Sequence, residues 1–376
     1  MDLSKISWKI EEPHFLRLAI TVVSIFSFSF LPVFFKSGGM PLYAVLLVFA
    51  LLALFTSIIA FLVGKVHSKK FLAGSFILQA VLLVAMAVAG TSGIYIAAAL
   101  FIALTSLIDI LFWLPLNMKF FERSRLKTNS KDSFAYAAIG NVPSILLLPI
   151  AALAIGDFGY PAAFIFSALL CAVITMSIAR KLQEKEYGVD IGRSLTRLKG
   201  LKTILLFEGA IDQFFAVVIP VFMLLYVETE LAFGGALGYL ALVSLIAAYF
   251  MARHSDKKQK RIVYLAPLLL AMAVNVLAMG LAGSFVIWIV LITLFSALYT
   301  VSYSMRLALI MDRKKTDMGF WTAREAIMNA GRFVTLSMAA ILLYFSLYWA
   351  IFAMYAAVLV AYPFVAKKKQ AQIGLF

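Results

Sequence analysis

Residues Arg180–Lys202 read RKLQEKEYGVDIGRSLTRLKGLK, the longest polar run in a 376-residue chain that is 64% apolar. On each side of this run lie six apolar segments, each long enough to cross a bilayer. The two flanks also match one another at an offset of 188 residues, half the chain. Leu31-Pro32-Val33-Phe34 returns as Ile219-Pro220-Val221-Phe222, Asn141 as Asn329 and Phe164 as Phe352. The polar run therefore reads as a linker between two copies of one six-span unit.

Composition sets the class. Mean hydropathy is +1.00 and only 14% of residues are charged, whereas roughly a quarter are charged in a soluble domain. The apolar residues fall in runs of about 18–25, the length a helix needs to cross a ~30 Å hydrocarbon layer. Strands of an outer-membrane barrel alternate polar and apolar at every second residue, and these runs do not. The expected fold is an all-α membrane protein of 12 transmembrane helices in two pseudo-symmetric six-helix bundles.

The predicted spans are, approximately, 15–35, 41–64, 71–89, 94–118, 134–155 and 160–179, then 203–227, 235–252, 262–281, 284–311, 320–345 and 347–365. The division that follows is a segment 1–14, a bundle 15–180, a linker 181–202, a second bundle 203–366 and a tail 367–376. The N-terminal stretch has Asp2, Glu11 and Glu12 but no basic leader, so a retained surface segment ending at Pro13 is expected rather than a signal peptide.

Charge distribution gives the topology. The net charge of +15 invites a nucleic-acid reading, but such proteins gather their basic residues on one soluble face. Here the loops after even-numbered spans and the two ends hold nearly all 33 basic residues, and the loops after odd-numbered spans hold one, Lys36. That is the positive-inside pattern with both termini cytoplasmic, as in a multi-pass protein of the cell membrane. In the linker, Ile191, Leu195 and Leu198 share a face opposite Arg193, Arg197 and Lys199, which predicts a helix on the inner leaflet.

Twelve helices in two repeats around a basic linker resemble the major facilitator superfamily. The loop between spans 8 and 9 carries the sharpest local likeness: Ala252, Asp256, Lys257, Lys260 and Arg261 follow the superfamily's pattern of a small residue, an acid and a basic cluster. The resemblance implies that Asp256 latches the two halves at a helix N-terminus, with Lys257 and Arg261 beside it. The equivalent loop between spans 2 and 3, Gly64-Lys65-Val66-His67-Ser68-Lys69-Lys70, has no acid. In the superfamily spans 1, 4, 7 and 10 line a central cavity.

Charges inside the bilayer cost at least ~2.5–3.5 kcal/mol each, so each needs a reason. Asp109, Asp212 and Arg332 all fall near the midplane, roughly 13 Å or more from the linker-side ends of spans 4, 7 and 11. Secondary transporters bind substrate at that depth, between their repeats. Asp109 and Asp212 are candidates for proton coupling, with Glu208 one turn from Asp212. Arg332 and Asn329 are candidates for substrate binding. Phe112, Trp113 and Phe215 offer an apolar lining beside the acids, and Ser24, Tyr299 and Tyr303 offer hydroxyls. Glu325 beside Arg324 reads as a gate or interfacial pair. Pro32 and Pro220 are candidate kinks.

The expected function is secondary transport by alternating access, with proton-coupled export of a small cationic or amphipathic solute (antiport). The alternatives are uptake of an organic anion held by Arg332, or lipid scrambling. The partners expected are a small solute, protons and the bilayer, with no nucleic acid and the chain acting as a monomer. No nucleotide loop, zinc-helix motif or Ser/His/Asp grouping occurs, so neither enzymatic activity nor a cofactor is expected. His14, His67 and His254 are scattered and Cys171 is single, so no metal site is predicted.

Overall fold

The computed structural model of the chain describes residues 12–121, 129–255, 261–311 and 317–372. The first half comprises α1 (Glu12–Ile25), α2 (Leu31–Ser37), α3 (Leu42–Leu62), α4 (Ser68–Ala89), α5 (Ile94–Phe121) and α6 (Asn129–Lys181). The linker contributes α7 (Ile191–Arg197). The second half comprises α8 (Lys202–Gln213), α9 (Ile219–Met223), α10 (Glu230–Ser255), α11 (Arg261–Gly280), α12 (Phe285–Met311), α13 (Met318–Tyr344) and α14 (Tyr348–Gln372). Among the described residues nine helices are long and apolar enough to cross a membrane, and α1 with α2, bent by 42°, makes a tenth. α6 covers the expected spans 5 and 6, and a shorter apolar helix, Tyr264–Gly280, covers span 9. Each of the twelve predicted segments is helical.

The expected loop 156–159 between spans 5 and 6 contracts to a single residue. Gly159 adopts φ 78°, ψ 167°, a conformation that side chains disfavour, and Pro161 follows. At the far end α14 runs on to Gln372, past the predicted start of the tail at 367.

Spans 1 and 7 break at corresponding places. In span 1 a 3-10 turn at Phe28–Phe30 separates α1 from α2, and in span 7 a π-helical turn at Phe214–Val218 separates α8 from α9. The first break, residues 26–30, maps onto the second, 214–218, at the repeat offset. The predicted kink residues Pro32 and Pro220 sit one step later, in the first turn of α2 and α9. The hydrogen-bond register has already shifted there, with the Leu31 N–H on the Phe28 carbonyl and the Ile219 N–H on the Phe214 carbonyl, so each break lies just before its proline.

The halves meet along two helix pairs, α3 with α13 and α6 with α10. Ser57 Oγ donates to the Ala326 carbonyl at 2.8 Å across the first pair. In the second, Gly234 and Gly238 of α10 lie against the Leu148 and Ile145 carbonyls. Small residues let membrane helices approach closely, and dispersion then holds them. Inside the second half the approach is tighter still. A Cβ on Gly209 would lie 2.0 Å from the Met328 carbonyl oxygen, and one on Gly331 would lie 2.2 Å from that of Leu206. These two glycines press α8 onto α13 and bring their charged faces together.

The linker is tied to both halves by strand pairing, capping and an ion pair. Strand β1 (Lys65–His67) pairs antiparallel with linker strand β2 (Glu186–Gly188), Val66 opposite Tyr187. Glu184 then accepts from the Lys69 and Lys70 N–H groups at 3.1 and 3.2 Å, at the N-terminus of α4, where a carboxylate is favoured. The acid missing from the loop between spans 2 and 3 is thus supplied by the linker. Asp190 caps α7 through the Arg193 N–H. Arg193, Arg197 and Lys199 are exposed as predicted, but Leu198 is buried. Ser194 packs on Gly319 at the start of α13, and Ile191 and Leu195 pack against the core, so the apolar side of α7 faces protein. Arg197 Nη1 reaches Asp317 Oδ2 at 2.8 Å, and Asp317 also caps α13 through the Phe320 N–H.

Candidate functional site

α8 places Glu208 and Asp212 one turn apart, and α12 places Tyr299, Tyr303 and Arg306 on one facing stripe. Arg306 is fully buried, forms an ion pair with Glu208 through Nη1 and approaches Asp212 Oδ1 through Nη2 at 3.5 Å. Tyr362 of α14 donates to Glu208, and Tyr299 donates to Asp212 Oδ1 at 3.0 Å. Arg332 approaches Asp212 Oδ2 at 4.0 Å. Asn329 orients Arg332, accepting from its Nη1 at 3.0 Å while donating to the Glu325 carbonyl. The charges are paired, as burial in a low-dielectric interior requires, although Nε and Nη2 of Arg306 make no hydrogen bond among the described residues.

Arg306 was not singled out from the sequence. It lies five residues from the end of α12, where an arginine ordinarily extends to the interface. The signal was its spacing from Tyr299 and Tyr303, which puts it on the tyrosine face of the helix. Glu208, named beside Asp212 as a proton-coupling candidate, is buried inside the second half and lines neither cavity described below.

A cavity of about 150 Å³ lies between the halves. Its walls come from Arg17, Trp113, Asn117 and Phe121 on one side, and from Asp212, Tyr303, Trp321, Arg324, Glu325 and Arg332 on the other. Three of these side chains are guanidiniums. Arg324 is held by Glu325 at 2.6 Å and lies 5.5 Å from the Trp321 ring centre. Arg17 lies 4.9 Å from that of Trp113. The Nε–H groups of Arg324 and Arg332 are buried without a hydrogen-bond partner. Asp109 stands just behind this wall, next to Trp113 and within electrostatic reach of Arg332 and Glu325.

A second cavity, about 260 Å³, carries no charge. Phe28, Ser29, Phe49, Asn141 and Ser144 meet Phe215, Ala216 and Ser244 there. The halves touch at both ends of the interface. On the linker side Phe121 stacks on Trp321 with centroids 5.3 Å apart. On the opposite side Lys36 Nζ donates to the Leu224 carbonyl at 2.6 Å, and Tyr160 to Glu230 at 3.2 Å.

The remaining predicted residues separate. Trp113, Tyr303, Arg332, Arg324, Glu325 and Asp212 line the charged cavity and Phe215 the neutral one. Tyr299 stands between the two. Phe112 and Ser24 line neither. One helical position from Trp113, Phe112 turns away from the cavity and packs edge-on to Phe76 in the first half's core. Thr293 and Thr300 mostly bond their own helix carbonyls, which satisfies a hydroxyl in lipid without facing a cavity. Asp256 and Lys257 lie outside the described residues, and Arg261 is described only as the first residue of α11.

No protein-family model and no curated protein matches the sequence. Among solved structures, the chain resembles the crystal structure of the human organic anion transporter MFSD10 (TETRAN), with a TM-score of 0.64 at 12% identity. The match covers 94% of this chain and 98% of that one. At that identity the likeness speaks for the fold alone: the chain has the helical fold of that solved structure over nearly its whole length.

Proposed function

We propose that the chain is a secondary active transporter that works by alternating access, and that its charged cavity holds the anionic group of a small solute. The observation that carries this reading is the state of the charges. Glu208, Asp212 and Glu325 each already face an arginine. Arg324 and Arg332 keep buried Nε–H donors without partners beside the cavity. An incoming carboxylate or phosphate would satisfy those donors by charge-assisted hydrogen bonds. A cation would meet acids already neutralised. The printed name of the structurally similar human protein, an organic anion transporter, points the same way.

Asp109 is the candidate coupling acid. Among the described residues it makes no ion pair. Lying next to the cavity, it can take up a proton when its side opens and release it when the other side opens. The contacts at the two ends, Phe121 on Trp321 and Lys36 on Leu224, are the ones that must part in turn.

Reconstituted vesicles with an imposed pH gradient test the reading, using panels of labelled carboxylates, organic phosphates and organic cations. The expected result is uptake of an anion that Arg332→Gln lowers at least tenfold and that Asp109→Asn uncouples from the gradient. Uptake of cations alone, unaffected by Arg332→Gln, contradicts it.

A further inference from the structure

We infer that the neutral cavity is a second subsite of the same path, so that the cargo is an amphipathic organic anion with an uncharged aryl or acyl body. This rests on the anion reading of the charged cavity and adds what lies beyond the charge.

The space fits such a body. An enclosed apolar cavity of roughly 150 Å³ takes up a benzene ring, and this one is about 260 Å³. Phe28, Phe49 and Phe215 give it aromatic faces. Two polar side chains on its wall are uncommitted: among the described residues Asn141 and Ser29 have no side-chain hydrogen-bond partner within the protein. Asn329, the repeat counterpart of Asn141, is engaged by Glu325 and Arg332. One copy of this asparagine builds the charged site and the other is left facing the neutral cavity, where its amide can read a hydroxyl or carbonyl on the cargo.

Only a short aromatic partition divides the two cavities. Phe215, on the neutral side, stacks on Tyr299 at 4.4 Å. Tyr299 stacks in turn on Tyr303, which lines the charged side. The Tyr299 hydroxyl is held by Asp212, so the same acid faces the charged cavity and fixes the partition. A molecule with its anionic group on Arg332 and its body directed past Tyr299 would occupy both spaces.

The test is binding in lipid nanodiscs, by calorimetry, of acetate, butyrate, hexanoate, benzoate and 4-phenylbutyrate, with the matching alcohols as controls. Wild-type affinity is expected to rise about threefold to fourfold per buried methylene, with the alcohols at least tenfold weaker. Ala216→Phe, which fills the neutral cavity, should weaken 4-phenylbutyrate and hexanoate at least tenfold and leave acetate unchanged. Ser144→Phe serves as a second filling variant, and each is checked for monodisperse elution. If length has no effect, or filling weakens acetate and 4-phenylbutyrate alike while Arg332→Gln still abolishes both, the subsite is wrong and the anion reading stands. If the alcohols bind as well as the acids and Arg332→Gln changes nothing, the anion reading itself fails and takes the subsite with it.

Discussion

Arg306 closes on Glu208 inside the second half, with side-chain exposures of 0% and 3%. Neither residue lines the charged cavity, yet Arg306 also pairs with Asp212, which does. The pair is therefore a brace for the site. Removing one member strands a buried charge, which costs about 3–5 kcal/mol. Arg306→Gln is expected to lower the melting temperature sharply in detergent. The double variant Arg306→Met with Glu208→Leu should recover most of the loss, because a buried pair replaced by apolar groups is often near neutral.

The contact of α8 with α13 makes a second prediction. Gly209→Val and Gly331→Val would each drive a side chain into a backbone carbonyl that lies about 2 Å from the first added carbon. Neither carbonyl can retreat without parting the helices. Both variants should lose the monodisperse peak in size-exclusion chromatography. Gly235→Ala, whose added carbon meets nothing within 4 Å, should keep it.

The linker strap gives a prediction with a defined pH sense. Lys65 bonds and attracts the Glu186 carboxylate, with His67 adding to it, and together they hold its pKa below the ordinary value of 4.5. A depressed folded-state pKa means stabilisation that is present above the unfolded value and is lost as pH falls through the folded one. Hydrogen exchange at residues 64–68 and 186–189 should therefore be slow at pH 6. Relative to α4, corrected for intrinsic rates, it should speed up below about pH 4.5. Glu186→Gln should remove that pH dependence.

Asp317 makes the fourth. It caps α13 and pairs with Arg197 of the linker. Asp317→Ala should cost about 1 kcal/mol from the cap and little more from the exposed pair. The readout is faster exchange at residues 318–321 and 191–198 together, with α14 unchanged.

The sequence was most legible where one physical rule acts over many residues. Run length gave the helices, and the 188-residue offset exposed the matched breaks at 26–30 and 214–218. It was least legible where a contact joins distant residues of unremarkable type. Glu184 caps α4 from 115 residues away, and nothing in its own neighbourhood marks it. Arg306 was hidden by its nearness to a helix end. Asp109, Asp212 and Arg332 stood out because isolated charges at midplane depth are costly. Depth alone did not reveal that Asp212 is already braced by Arg306, and that brace shifts the reading from a cation toward an anion. The breaks in spans 1 and 7 were misplaced by about a turn because proline marks where a helix can restart, not where it stops.

Alternating access requires the two halves to rock about the cavities, opening one end as the other closes. Pulsed electron paramagnetic resonance tests it most directly, with Cys171→Ala as background. One spin-label pair at Ser92 and Ser284 reports the side opposite the linker, and one at Lys70 and Lys367 reports the linker side; all four positions are exposed. The account predicts two distances for each pair, with populations that shift in opposite directions when pH or a bound anion is changed. A single fixed distance at both ends under every condition would contradict it.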